Sequence, residues 1–534
     1  MNYIELFAGC GGLSLGLESL GFELFFANEL SPMAGETFAY NLLNEDLSAI
    51  PEGSVPEKVK WITSNFAQTD IKKRLRENPQ TFPTYDENCS DLTPVFEEIE
   101  GRLLVGSIVE LNKFLEENPK LVRDIQRKDL DLVSGGPPCQ SFSLAGLRQL
   151  DNQRNTLPMD FADFVSITRP KIALLENVSG ILRAFKLETG KHYAWFEVAR
   201  AFASKGYYPI CLHVNAKYAG AAQNRPRFIL LALREDVFKN VQEHGKSEAF
   251  KKVLKITESF VAKEQNGIAA LPFEDLNYYE IEKHHNFFDD PLFSSLKECW
   301  DDADLFTVED AIDDLNEIGG KESNYPELLN TIFPAPKGSS QTKKLSNQEH
   351  RENSVRVRMR FMLYQHLSDL KSPSNRKENN QIERDTINFL KNPDSHALME
   401  DSIDFLLSRE YLSSDGRSLQ SFTSERSLTD YLRTIATKKQ TQRALLRSNP
   451  APAALSIPDD ACHYDKNLQR TLTVREMARF QSFPDWFEFR SKVTTGGKMR
   501  RFEVPQYTQV GNAVPPLLGR ALGKTIQNIL TLNH

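Results

Sequence analysis

The stretch GGPPCQSFS, residues 135–143, follows the apolar run DLVSG and sets a thiol where a nucleophile is useful. Two prolines exclude helix and fix the backbone that enters Cys139. The pattern reads as a β-strand that stops at Pro137 and Pro138 and presents Cys139 on an open turn. Open α/β sheets bind ligands at the carboxyl ends of their strands, and a thiolate there can attack an electrophilic carbon. A second strand end, LLENVSGI, carries Glu176 and Asn177. A partly buried carboxyl group at the same mouth can give or hold a proton near neutral pH. QNRPRFILLAL supplies Arg225 and Arg227 just before another apolar run, and their alternation puts both on one face. ELFAGCGGLSLGLE ends a strand in Gly9, Gly11 and Gly12 and opens a helix. Such a turn lets backbone approach a ligand and aims helix N–H groups at it, although it is not G-x-G-x-x-G. Glu29 closes the next strand, placed to accept hydrogen bonds from ribose hydroxyls.

Elements with a regular rhythm must hold these groups. Strands are expected at residues 3–7, 22–28, 103–108, 130–135, 172–176, 208–214 and 228–233. Helices are expected to start near Gly12, Pro32, Glu110, Pro158 and Tyr193. Short apolar strands alternating with helices predict a mostly parallel sheet covered on both faces. Residues 42–101 are polar and proline-rich and read as an insertion at the sheet's edge. After Arg234 the alternation fades, with helices expected at 355–370 and 428–446. The last 70 or so residues become motif-dense again: RTLTVREMARFQSFPD, then QVGNAVPPLLGRALGKTIQNIL. The latter reads as a turn at Gly511 and Asn512, prolines in a first helical turn, and an amphipathic helix.

The 534 residues allow two to four domains. No apolar run approaches the roughly 18 residues needed to span a bilayer. The first residues do not resemble a signal peptide, so the cytoplasm is the expected location. Six cysteines without a C-x-x-C pair argue against a disulfide framework or a zinc site, and no metal is expected. The net charge is −8, but its distribution is uneven. Residues 278–327 are acidic, residues 337–384 are basic, and a second basic stretch runs from Arg426 to Arg447. Such local patches suit a polyanion despite the acidic total.

Taken together, FAGCGG, NEL, GGPPCQSFS, ENV, QNRPRF, RTLTVREMARFQSFPD and QVGNAVPP stand in one order that resembles the C5-cytosine-specific DNA methyltransferase family. The resemblance covers the first 236 residues and the last 70, not the middle. It implies an α/β, Rossmann-like S-adenosylmethionine-dependent methyltransferase fold with a seven-stranded mixed sheet assembled from both chain ends. A smaller target-recognition domain is inserted. The division is residues 1–240 catalytic, 241–461 recognition, and 462–534 completing the catalytic domain.

By the same resemblance Cys139 adds to C6 of a flipped-out cytosine, Glu176 holds the proton at N3, and Arg225 and Arg227 steady the nucleophile region and the base. Phe7 lies against the adenine of S-adenosyl-L-methionine, whose product is S-adenosyl-L-homocysteine, and Glu29 takes its ribose, with Leu30 a further cofactor-binding residue. Ala8, Gly9, Gly11, Gly12 and Leu13 line the cofactor turn. Ser107 stands where an acid usually meets the adenine amino group, and Ile108 packs on the ring. Gly136, Pro137 and Leu157 border the pocket, with Asn512, Ala513 and Val514 at the cofactor's methionine end. A mobile loop from Phe142 to about Thr156 closes over DNA, bringing Gln140, Ser143, Arg148 and Arg154 to it. Arg356, Arg358 and Arg360 are further candidates for DNA contact. His463 matches a recurrent family feature, but a structural role is the simpler reading. The implied partners are double-stranded DNA, met as a monomer, and a cognate restriction endonuclease acting on the same site. An RNA cytosine-C5 enzyme of the same fold and a silent DNA-binding relative are the alternatives.

Overall fold

The computed structural model describes residues 1–138, 156–187, 190–267, 271–316, 320–336, 345–371, 376–439, 442–453 and 461–532. Strands in chain order are β1 (Asn2–Leu6), β2 (Glu23–Glu29), β3 (Val59–Trp61), β4 (Arg102–Val105), β5 (Leu132–Gly135) and β6 (Ile172–Val178). A hairpin of β7 (Ala184–Leu187) and β8 (Gly190–Tyr193) follows, then β9 (Tyr207–Asn215), β10 (Gln223–Asn224), β11 (Pro226–Arg234) and β12 (Tyr278–Glu280). The main sheet has nine strands in the order β12-β9-β11-β6-β5-β1-β2-β4-β3. Only β11 runs against its neighbours, pairing antiparallel with β6 and β9. The sheet is therefore mixed as expected, but wider than seven strands. The two additions are the short edge strands β3 and β12, whose three residues each are too few to show a period.

Successive side chains on a strand point to opposite faces, and β1 shows how the core is divided. Ile4 and Leu6 join one apolar cluster with Phe26, Val133, Leu175 and the helices Ile108–Glu117, Leu157–Thr168 and Ala194–Ser204. Tyr3 joins the other, with Leu132, Leu174, Ile229 and the helices Gly12–Glu18 and Pro516–Leu530. The last helix thus packs on the first. A Cβ at Gly16 would lie 2.5 Å from the Arg520 backbone nitrogen, so the close approach requires glycine there. Pro516 occupies the first helical turn, as its fixed φ favours.

Three boundaries differ from expectation. The helix expected near Glu110 begins at Ile108, because the Ser107 hydroxyl accepts from the Val109 N–H and caps it. Gly511 and Asn512 do not form a turn but end a helix, Gln506–Asn512. The helix expected over 428–446 is Glu425–Thr434, and the chain is extended again at Arg443–Ala444. The inserted residues do lie at the sheet's edge, where β3 pairs parallel with β4 and Trp61 is fully buried.

Two further apolar clusters matter for the layout. Val308, Ile312 and Tyr325 pack with Val474, Phe480 and Tyr507 of the C-terminal segment. Phe361, Leu363, Phe389, Tyr411, Leu428 and Cys462 form a cluster of their own. Phe250, Phe288 and Phe293 belong to the sheet's own core.

Candidate active site

Strand β5 ends at Gly135, and β1, β2 and β6 end beside it, so four strand ends meet at one mouth. Glu176 projects there from β6 and is buried. Its carboxylate lies 2.6 Å from Arg227 Nε, and a Cβ placed on Gly136 would be 3.0 Å from its other oxygen. Glu176 thus faces the chain three residues before Cys139. The Asn177 Nδ2 donates to the Pro137 carbonyl at 3.0 Å, fixing the turn from the opposite face. Burial pulls the Arg227 pKa down and the Glu176 charge opposes the shift. Cys139, Gln140, Ser143, Arg148 and Arg154 lie outside the described residues.

Arg225 does not share that contact. β11 begins at Pro226, so the expected strand alternation does not include Arg225. Its buried guanidinium donates to the Gly511 and Ala513 carbonyls at 2.9 Å each, tying the C-terminal segment to the mouth. Burial, and then the adjacent Arg227 charge, push its pKa well down.

The glycine turn follows β1. Phe7 adopts φ of 55°, costly for a bulky residue and common where a ligand site over-determines the backbone. The Gly9 N–H donates to Glu29 Oε2 at 2.9 Å and the Ser31 N–H donates to Oε1 at 2.7 Å. Burial raises the Glu29 pKa and these two amides oppose it. Each oxygen keeps a second lone pair. Glu29 therefore braces the turn and retains acceptor capacity, with Leu30 half-buried beside it. Phe7, Ile108 and Leu157 pack around one apolar cluster, while Leu13 and Val514 pack on the other. Ala8 is buried and donates to the Asn28 carbonyl. Ser107 uses one of its two lone pairs on the helix cap, leaving its O–H free to donate and a second lone pair to accept. Asn512 is exposed.

Gly12 sits under the Val514 carbonyl, 2.2 Å from where a Cβ would be. A backbone oxygen cannot swing aside, so Gly12→Ala is expected to destabilise the fold by about 1–3 kcal/mol, which thermal and denaturant unfolding against wild type check.

Beneath this turn lie two acids, Glu5 buried and Glu18 half-buried. Ser14 Oγ donates to Glu5 Oε2, and Tyr3 OH donates to Glu18 Oε1 at 3.2 Å. Burial pushes the Glu5 pKa up to about 8 and the Glu18 pKa up to about 7. The folded chain thus holds protons that the unfolded chain loses above the ordinary value of 4.5. The stability this contributes is complete below that value and is lost as pH rises through about 8. Glu5→Gln is expected to be isoenergetic with wild type at pH 4 and more stable at pH 8.5 by about 2–4 kcal/mol. Denaturant unfolding at the two pH values measures it.

Sequence reasoning missed two positions that organise the mouth. Asn28 Nδ2 bridges the Leu104 and Gly106 carbonyls, at 2.9 and 3.1 Å. Gln509 accepts from Thr37 Oγ1 at 2.6 Å and donates to the Val504 carbonyl at 3.0 Å, stitching the first and last segments. Their partners are remote in sequence, and only the NEL and QVGNAVPP motifs mark them. His463 is fully buried, its Nδ1 accepts from the Asp465 N–H at 3.0 Å, and burial lowers its pKa to about 4.

The three arginines proposed for DNA separate. On the helix Val355–Ser368, positions 356 and 360 share a face and 358 does not. Arg360 is buried, with Nε on the Ile435 carbonyl at 2.9 Å and Nη1 on Gln442 Oε1 at 3.2 Å, which removes it from any DNA surface. Arg356 is exposed and reaches the Ala436 carbonyl at 3.0 Å, while Arg358 is half-buried.

A family model described as C-5 cytosine-specific DNA methylase matches residues 1–66, 92–362 and 321–528. The unmatched residues between the first two spans fall in the edge insertion. Among curated proteins, the Type II methyltransferase M.DdeI of Desulfomicrobium norvegicum is 25% identical over 546 residues, covering 100% of this chain and 91% of that protein. M.AgeI of Thalassovita gelatinovora is 26% identical over 540 residues, covering 99% of each. M.NgoPII of Neisseria gonorrhoeae is 29% identical over 239 residues, covering 44% of this chain and 49% of that protein. The matched spans carry both the glycine turn and the Glu176–Arg227 pair, and the chain belongs to the C-5 cytosine-specific DNA methylases.

Proposed function

We propose that this enzyme methylates C5 of a cytosine extruded from duplex DNA, through a covalent bond between Cys139 and C6, at a specific sequence. The observation that carries the reading is the buried Glu176 carboxylate, paired with Arg227 at 2.6 Å and facing Gly136 just before Cys139. A carboxyl group there can hold a proton at N3 of a pyrimidine, so that charge does not build up on the ring when a thiolate adds at C6. Addition turns C5 into an enamine carbon that can attack an electrophile. S-adenosyl-L-methionine supplies the methyl group and leaves as S-adenosyl-L-homocysteine. The open space above Gly9, the spare lone pairs of Glu29 and the half-buried Phe7 suit an adenosine. Transfer of the C5 proton to water then breaks the C6–S bond, releases Cys139 as its thiolate and restores aromaticity. The target base is unreachable inside a duplex, so flipping costs a few kcal/mol, which contacts from a recognition unit offset.

The self-contained apolar cluster spanning residues 359–462 supports a recognition unit narrower than residues 241–461. The relatives are named type II methyltransferases, which supports a role beside a cognate endonuclease. No described helix is long and apolar enough to cross a membrane. Bisulfite sequencing of a plasmid from cells expressing the chain tests the reading: converted cytosines throughout would refute it, and a protected motif would support it. Labelled cofactor with transfer RNA instead of DNA separates the RNA alternative. A 5-fluorocytosine duplex that forms no adduct would mark a silent relative.

A further inference from the structure

The hairpin β13 (Glu410–Leu412) and β14 (Leu419–Ser421) belongs to the separate apolar cluster and ends in an unusually fixed loop. The Ser413 N–H donates to the Ser418 carbonyl at 2.8 Å, and the Gly416 N–H donates to the Ser413 carbonyl at 3.0 Å. Gly416 takes φ of 70°, open to glycine without strain. Inside the loop, Asp415 Oδ1 accepts from Ser413 Oγ, from the Arg417 N–H at 2.8 Å and from the Ser418 N–H at 3.0 Å. Its Oδ2 accepts from Ser418 Oγ at 2.9 Å. The carboxylate is consumed by the loop, and these bonds hold its pKa far below the usual range. Arg417 is exposed at the tip, beside the exposed Ser414, Asp415 and Ser418, and is its one cation.

Two other segments meet this tip. A Cβ on Gly416 would lie 2.9 Å from Val355 and 3.6 Å from Arg358 Nη1, so the loop rests on the first turn of Val355–Ser368. The other flank of that turn holds Arg356, bonded to the Ala436 carbonyl, and the chain there continues into exposed Lys438 and Arg443. Among the described residues no carboxylate pairs with Arg356, Arg358, Arg417, Lys438 or Arg443. Three segments that meet at the first turn of Val355–Ser368 therefore carry exposed cations, Arg417, Arg356 and Lys438 among them, in a chain of net charge −8.

We infer that Arg417, held at the tip of this two-stranded ribbon, reads a guanine in the major groove of the target duplex, with Lys438 and Arg443 on flanking phosphates. The major groove admits a two-stranded ribbon, and a guanidinium there pairs bidentately with guanine O6 and N7. That contact needs a rigid base for the fork, which the Asp415 loop provides. Surrounding cations on a different segment position the duplex without reading it. This inference rests on the DNA methyltransferase reading, and its test is chosen to fail separately from it.

The full-length enzyme is assayed on a plasmid library with a degenerate target, read by bisulfite sequencing. Arg417→Ala is expected to lose preference for G·C at one position by about 10- to 100-fold, keeping preference elsewhere and an unchanged melting temperature. Arg417→Gln is expected to shift that position toward adenine, which Gln pairs bidentately. Lys438→Ala is expected to weaken binding evenly and to lower the slope of log affinity against log salt by about 1. An unaltered preference in both Arg417 variants overturns the inference while leaving the enzyme reading intact. An even loss at all positions with a shallower salt slope makes Arg417 a phosphate contact and overturns it too. No methylation by the wild-type chain would remove the enzyme reading and this inference with it.

Discussion

Replacing Cys139 with serine is expected to reduce methyl transfer by about 10⁴-fold or more, with cofactor binding retained. The reason lies in the poor nucleophilicity of cytosine C5. Only a covalent adduct at C6 converts that carbon into an enamine, and a serine alkoxide at pH 7 is far scarcer than a thiolate. A free thiol with pKa about 8.5 is a few per cent ionised at pH 7, whereas a hydroxyl without a general base is effectively un-ionised. The proposed environment adds the cationic Arg227, itself paired to Glu176 at 2.6 Å. Single-turnover transfer of labelled methyl to duplex DNA gives the rate. Trapping by a 5-fluorocytosine duplex gives the adduct, which the serine variant should not form. Substantial methylation by the variant would sink the covalent proposal.

The second large effect concerns the Glu176–Arg227 pair. Both side chains are nearly inaccessible to solvent, at 8% and 7% exposure. Deleting one partner of a buried pair leaves the other charge without compensation, at about 3–5 kcal/mol. Arg227→Ala is therefore expected to lose much of the fold's stability as well as activity. Glu176→Gln keeps the shape and a hydrogen-bonding group but cannot hold the N3 proton in the proposed way. Its expected cost is about 10²–10⁴-fold in turnover, with a smaller change in melting temperature. The distinguishing measurement is a double-mutant cycle read both in stability and in turnover. A stability coupling of about 0.5–3 kcal/mol with no turnover loss in Glu176→Gln would reduce the pair to a structural role.

Much of this arrangement was legible in the residues. The apolar runs at residues 172–176, 208–214 and 228–233 became β6, β9 and β11 within one or two residues, because strands buried on both faces are continuous and hydrophobic. The glycine turn and Pro516 were readable because φ preferences act locally. The edge strands were not, since β3 and β12 take their extended shape from pairing with β4 and β9. Arg360 was misjudged for another reason. Counting cations along a chain ignores helical phase, and phase turns this one toward the Ile435 carbonyl. Gln509 and Asn28 earn their roles from partners hundreds or tens of residues away, which no local pattern encodes.

The docking of Pro516–Leu530 on Gly12–Glu18, with Arg225 gripping the carbonyls of Gly511 and Ala513, has a consequence for shortened chains. Without Pro516–Leu530, Leu13 and Leu17 of the first helix lose Leu518, Leu522 and Ile526 from their shared apolar cluster, so a chain stopped before residue 516 is expected to lack methyl transfer. Supplying residues 501–534 as a separate peptide to a chain truncated before them should restore labelled-methyl incorporation in a concentration-dependent way.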